Sequence, residues 1–423
     1  MDPQGTSHLA VRLASPPVTA GASIEEVTIT VVGIAADGTL ASGGAQALSE
    51  AEVVFGGDRQ LALLPTQAGQ ERVRWPSPLR EVLPDLLRRY AGRRLAALAS
   101  GDPLVSGIGT TLVALLGAER VHILPALSSL ALARARLGWA AEESTVVTLV
   151  GRDPRLVLRH LAPGQRLLVL SADEHTPDEV ARLLVEAGYG ASRLTVLGDL
   201  GTPHETRSQG TAATWDHPVS RLNIIAVELV GQLTTGWAPG LPDDAFDHDG
   251  QLTKRDLRAS ALARLMPAPG QLLWDVGAGA GSVGIEWLRA HPGCRAVAVE
   301  ADPERAARIA RNADRLGVPL LDVVLGRAPD ALADLPAPDA VFVGGGATRP
   351  GVLEACLAAL SPGGRLVVHA VTVETEAILA QRHADLGGEL TRISVEQVAP
   401  VGTSTNFRGW TPQRTVTQWS YSR

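Results

Sequence analysis

The residues best placed to do chemistry gather first in LLWDVGAGAGSVGIEW, residues 272–287. An apolar run ends at Asp275, a Gly-x-Gly-x-Gly turn follows at Gly277, Gly279 and Gly281, and a helical pattern comes next. Such glycines supply the torsions of a tight strand-to-helix turn and let backbone approach a nucleotide-like ligand. A second apolar run, AVAVEADPE, ends at Glu300, where a carboxylate can accept both hydroxyls of a ribose. Two ligands compete for this pattern. Gly279 to Gly284 also satisfies G-x-G-x-x-G, which leaves NAD open. Asp275 favours S-adenosylmethionine (SAM), because an acid beside the turn can help hold the cationic methionine end, whereas a pyrophosphate gains nothing from it. Ala328, in GRAPDAL, could pack on an adenine, and Gly344, Gly345 and Gly346 could admit a bulky ligand near the backbone.

The first half holds a second set. LASGDPLVSGIGTTL (98–112) follows a strand pattern and opens a helix, with Asp102 and Pro103 setting a turn. VHILPALSSLALARARLGW (121–139) repeats the arrangement, with Ser128 and Ser129 at a helix start where capping alone accounts for them.

Elements that position these residues alternate short β-branched runs with longer helical patterns, the signature of α/β layering. In the first block strands are expected at 27–32, 94–100, 120–125, 144–150, 166–171, 193–198 and 221–229. Residues 230–242 are turn-rich and unperiodic, which suits a linker. The second block reads as a helix over 254–265, then strands and helices in alternation, with helices over 282–290, 303–315, 349–360 and 373–384. ELTRISVEQV and RTVTQWSYS are expected to close it as an antiparallel pair. A mostly parallel, doubly wound sheet follows for this block. The resulting division is a disordered tail (1–24), a first domain (25–230), a linker (231–242) and a second domain (243–423).

Bulk properties narrow the function. At 423 residues the chain exceeds one ordinary core. Its net charge of −7 includes no basic excess in either half, which argues against a nucleic-acid partner. No apolar run reaches membrane-spanning length, and the first residues lack a signal-peptide pattern, so a cytoplasmic protein without a membrane partner is expected. Cys294 and Cys356 share no metal-ligand spacing, so no metal is expected.

The ordered motifs resemble a known family, the tetrapyrrole methylases of corrin biosynthesis. Gly-Asp-Pro and then Pro-x-x-Ser-Ser-x-x-x-Ala-x-x-x-Leu-Gly-x-x-Trp look like their C5-methylating branch, as does VVFGGDRQL (53–61). The opening VVGIAADG departs from it, with Ala35-Ala36 where the family usually has Gly-Pro. The second half is similar to the class I methyltransferases that act at C15 and remove a carboxylate, through LPDDAFDHDGQLTKRDLRA, DVGAGAGSVGIEW, GRAPDAL, VFVGGGA and SPGGRLVVHAVTVET. Arg327 departs from the acid often found beside the adenine in that class.

The resemblance implies a two-lobed α/β tetrapyrrole-methylase fold followed by a Rossmann-like, doubly wound SAM-methyltransferase domain. It implies methylation of a precorrin-6B-type tetrapyrrole at C5 and C15 with decarboxylation of the C12 acetate, giving precorrin-8X in cobalamin biosynthesis. SAM would be held by Gly277, Ala278, Gly279, Ala280, Gly281, Glu300, Ala328 and Thr253, with Asp275 beside them. In the first half it would be held by Gly101, Asp102, Val105, Ser128 and Ser129. Lys254, the chain's only lysine, and Arg258 lie four apart and could grip one anionic edge of the substrate from a helix starting at 254. His248 is the candidate proton donor, although DHDG is an equally good turn. Association into a homo-oligomer is also expected. A methyltransferase of another substrate, and an NAD(P)-dependent reductase in the second half, remain the alternatives.

Overall fold

The computed structural model describes residues 23–423 except 66, 234 and 402–406. All but two residues of the tail expected over 1–24 therefore lie outside the described residues; Ile24 already begins a short 3-10 turn.

Five strands form the first sheet: β1 (Ile29–Ile34), β2 (Val53–Gly56), β3 (Glu71–Arg74), β4 (Leu95–Ser100) and β5 (Val121–Leu124), in the order β3-β2-β4-β1-β5. Every recorded pairing in it is parallel. The run Leu95–Ala99 is buried throughout, as expected of a strand covered on both faces. A second, mixed sheet follows with β6 (Ser144–Thr148), β7 (Arg166–Leu170), β8 (Arg193–Gly198), β9 (Thr206–Thr211) and β10 (Asn223–Glu228), in the order β6-β7-β10-β8-β9. Two sheets, each with its own apolar core, make the two lobes of the first half.

The second half is built on β11 (Leu272–Val276), β12 (Arg295–Glu300), β13 (Asp322–Leu325), β14 (Ala340–Val343), β15 (Arg365–Ala370) and β16 (Glu389–Ile393). A hairpin, β17 (Glu396–Pro400) with β18 (Arg408–Pro412), and the last strand, β19 (Val416–Ser422), complete it. Sheet order is β13-β12-β11-β14-β15-β19-β16, parallel except that β19 runs antiparallel to β15 and β16. The expected closing pair therefore forms, but ELTRISVEQV is two strands: its first part pairs with β19 and its second with β18. Among the described residues no helix is long and apolar enough to cross a membrane.

The stretch read as a linker is packed rather than free. Trp237 donates its indole N–H to the Arg159 carbonyl at 3.1 Å, and Arg289 donates to Gly236 O at 3.3 Å. Arg159, itself buried, donates to Leu288 O and Arg289 O at the C-terminal end of the helix Ser282–Ala290. Helix C-terminal carbonyls carry partial negative charge and partly offset these buried guanidinium groups. Arg155 adds an ion pair to Asp314 across the same seam.

Arg258 is the main correction to the sequence reading. Its side chain is fully buried, paired with buried Glu286 and 3.4 Å from Asp243. It donates to the carbonyls of Thr253 and Leu241 and stacks 4.7 Å over the Phe246 ring. Glu286 in turn accepts from Gly240 N at 2.6 Å and Leu241 N at 2.9 Å. Arg258 shares the inward helix face with Ala261, Leu262 and Leu265, and its fully buried side chain does not line the cavity a substrate would enter. Lys254 sits outside the helix as its N-cap, half-exposed, 3.5 Å from Asp243. We expect Glu286→Ala to lower unfolding free energy by about 3–5 kcal/mol, because it strands a sealed guanidinium. Lys254→Ala should cost under about 1 kcal/mol, as a half-exposed pair does. Urea denaturation of the two variants checks both values; equal losses would contradict the assignment of Arg258 to the framework.

Candidate active sites

A cavity of about 830 Å³ opens at the C-terminal ends of the parallel strands β11, β12, β14 and β15. That edge of an open α/β sheet is where ligands bind, because loops there are free to diverge. Gly277, Ala278, Gly279, Glu300, Ala328, Thr253 and Lys254 all line it. The glycine turn is conformationally demanding: φ is +68° at Gly277 and +60° at Gly279. A Cβ on Gly279 would lie 2.8 Å from Gln251 O, so the loop before Lys254 can pass close only over glycine.

Glu300, nearly sealed at the end of β12, holds this turn. Its Oε2 accepts from Gly279 N at 2.8 Å, and Oε1 accepts from Ala301 N and Asp302 N. Ala280 and Gly281 are not on the wall; Gly281 is the left-handed cap of the next helix and packs toward Ile309.

Asp275 is another correction. It is 1% exposed, absent from the wall, and accepts from Gly284 N at 2.9 Å through Oδ2, while Oδ1 is sealed without a partner. It ties the strand end to the helix start and does not face a ligand. His248 is a third: it lies away from the wall, and its Nδ1 accepts from Gly250 N at 3.0 Å, which makes it the pivot of the DHDG turn. The cavity contains a different histidine, His369 at the end of β15. The end-of-strand position in RLVVHA was the available signal for it.

A second cavity, of about 460 Å³, lies between the two lobes of the first half. Gly101, Val105 and Ser129 line it; Asp102 and Ser128 do not. Asp102 accepts from Leu104 N at 2.8 Å and Ser128 caps its helix through Ala131 N at 3.2 Å, so both shape the turns from behind. Asp199, left-handed at φ +45°, with Arg59, Arg221 and Asn223, completes the wall. None of these four was singled out from sequence: Arg59 falls in the quoted run VVFGGDRQL, on the helix Asp58–Ala62, without being named, and Asp199, Arg221 and Asn223 stand alone at loops or strand ends.

Comparison with known proteins fits these two cavities. Residues 27–216 match the tetrapyrrole (corrin/porphyrin) methylases, and residues 244–423 match the precorrin methyltransferase domain. Over 404 residues the chain is 46% identical to a precorrin-6Y C(5,15)-methyltransferase (decarboxylating) of Sinorhizobium sp., covering 93% of this chain and 96% of that one. The chain belongs to the precorrin-6Y C(5,15)-methyltransferase (decarboxylating) family. It is a C-methyltransferase of cobalamin biosynthesis that also decarboxylates its precorrin, and the reductase reading of the glycine turn finds no support. Two shorter relatives each match a segment about the length of one half. One is a probable cobalt-precorrin-6B C(15)-methyltransferase (decarboxylating) of Pyrobaculum calidifontis, 34% identical over 43% of this chain and 96% of its own length. The other is a cobalt-precorrin-7 C(5)-methyltransferase of Salmonella typhimurium, 33% identical over 40% of this chain and 84% of its own length.

Burial, with Glu300 as the nearby like charge, raises the Asp275 carboxyl from its ordinary 3.8 to about 7. A group with a raised native value stabilises the fold only while protonated, so its contribution is lost as pH climbs from about 4 through 7. Asp275→Asn keeps an acceptor for Gly284 N and removes that titration. Urea midpoints at pH 5 and pH 7 should fall less in the variant than in the unmodified chain. Parallel losses would contradict an Asp275 held as the neutral acid.

Proposed function

We propose that each cavity binds its own SAM and carries one methylation, C15 with decarboxylation in the larger and C5 in the inter-lobe one. The domains then run 25–230 and 243–423, in line with the spans of the two family matches. One observation carries the reading. The larger cavity pairs a glycine turn and buried Glu300 with a wall of five cationic side chains, Lys254, Arg305, Arg327, Arg349 and Arg414, in a chain of net charge −7.

SAM fits the glycine side. Gly277 and Gly279 let the backbone of Gly345 and Gln251 close around the turn, where a Cβ would lie 2.9 and 2.8 Å from their carbonyl oxygens, and Glu300 sits where ribose hydroxyls would be accepted. The sulfonium supplies an already activated methyl group. The protein's task is therefore placement more than activation. Lys254, Arg327, Arg349 and Arg414 would orient the acetate and propionate groups of the macrocycle over that methyl. Arg305 is committed to Asp249 at 2.9 Å, and serves the loop instead. The departure at Arg327 makes sense here: a cation suits a site for a polycarboxylate. In the first half, Arg59 and Arg221 would hold carboxylates at the mouth of the inter-lobe cavity. We place the enzyme in the cytoplasm.

Blocking one cavity at a time tests the division. With precorrin-6B and SAM, Glu300→Ala should slow C15 methylation and CO2 loss at least about 100-fold, following the loss of a positioning contact, yet still methylate C5 of a C15-methylated, decarboxylated precorrin supplied directly. Val105→Trp should abolish C5 methylation and leave the other two steps, as product masses would show. Failure of Glu300→Ala on that supplied precorrin, or loss of C15 methylation in Val105→Trp, would overturn the two-site reading.

A further inference from the structure

The larger cavity needs a group that can both take and give a proton, and its wall offers few. Among the described residues lining it, the titratable ones are five cations, Glu300 and His369. Glu300 has both carboxylate oxygens engaged by backbone N–H groups. His369 is 8% exposed at the end of β15, edge-on to the Phe342 ring at 5.0 Å. Its cross-strand partner is Gln418 of β19. Gln418 Oε1 lies 2.9 Å from His369 Nε2, and Gln418 Nε2 is sealed without a partner. That orientation leaves the ring hydrogen on Nε2 and the lone pair on Nδ1. Nδ1 has no partner among the described residues and is not one of the sealed polar atoms, so it belongs to the cavity wall.

The overall chemistry releases one proton and consumes one. Methylation forms a C15–CH3 bond; the C15–H bond then breaks, its electron pair returns to the conjugated ring and its hydrogen leaves as a proton. Decarboxylation breaks the bond between the acetate methylene and its carboxylate. CO2 departs, the electron pair stays on the methylene and its conjugated ring, and one proton completes the new methyl group. No outside acid or base is needed if one residue serves both steps.

We propose that His369 is the proton shuttle of the larger cavity, its Nδ1 taking the proton released at C15 and handing it to the carbon that loses CO2. The assignment rests on the larger cavity being the C15 site. Gln418 is the positioning residue: its Oε1 fixes the tautomer and accepts from Nε2–H while the ring is cationic. Burial lowers the imidazole to about 4, so the ring rests neutral and, once protonated, is acid enough to give the proton up again. The arginines cannot replace it as a base, because a guanidinium does not give up its protons in a protein, and Lys254 faces Asp243 at 3.5 Å.

Solvent deuterium reads the shuttle directly. In D2O, over a first turnover of the full chain, the shuttle predicts less than one deuterium in the methyl group left by decarboxylation, the remainder being hydrogen from C15. His369→Asn should form decarboxylated product about 100-fold more slowly, with a full deuterium, while its affinity for S-adenosylhomocysteine by calorimetry stays within about twofold. Gln418→Leu should slow the same step and leave that affinity unchanged. A full deuterium from the unmodified chain, with Glu300→Ala still abolishing C15 methylation, overturns the shuttle alone. Glu300→Ala with normal C15 methylation overturns the cavity assignment as well. An unchanged decarboxylation rate in His369→Asn also overturns the shuttle.

Discussion

A sealed guanidinium organises the catalytic end of the second half. Arg258 is fully buried, and a charge in that position is tolerable only because each of its three nitrogens donates to a defined acceptor. Those acceptors come from separate parts of the chain: Glu286 on one helix, Asp243 before the turn, and the carbonyls of Leu241 and Thr253. Satisfying one cation therefore fixes where the inter-domain segment ends, where the helix Arg255–Leu265 begins, and where Thr253 and Lys254 meet the cavity. The functional lysine candidate is placed by an arginine that does not line the cavity.

The same division of labour recurs around the glycine turn. Asp275 and Glu300 are both buried acids at strand ends, yet they face opposite ways. Asp275 bonds the backbone of the following helix and Glu300 bonds the turn from the cavity side. Burial, with the nearby charge of Glu300, raises the Asp275 carboxyl to about 7, which eases the placement of two carboxyls at neighbouring strand ends. The cavity is then left with one acid against five cations, a balance suited to a polycarboxylate macrocycle. Both cavities lie in a chain whose halves are clasped through Arg155, Arg159, Trp237 and Arg289.

Much of this was legible in the residues, and the failures have physical causes. Helices 282–290 and 303–315 and the strand Arg295–Glu300 fall where periodicity placed them, because their apolar faces are buried against a parallel sheet. Strands β3 (ERVR) and β9 (TRSQGT) escaped notice because they are polar edge strands with little buried surface. Arg258 misled because a charge at i+4 from Lys254 looks like a surface pair, whereas its register with Ala261, Leu262 and Leu265 points inward. His248 is taken up by its own turn, where its ring accepts from Gly250 N, while the flanking Asp249 and Asp247 pair with Arg305 and Arg308 of the helix Pro303–Arg315. His369 lies within the quoted run SPGGRLVVHAVTVET yet reads as part of an apolar strand; its place at that strand's C-terminal end sets it on the cavity wall. The glycine turn was readable for the opposite reason, since torsion and close approach restrict it to glycine at several positions at once.

Two methyl-donor sites in one chain is the central claim, and the stoichiometry of S-adenosylhomocysteine binding to the full chain tests it most directly. Titration calorimetry should give two molecules bound per chain, falling to one in Glu300→Ala. A single site in the unmodified chain would contradict the account.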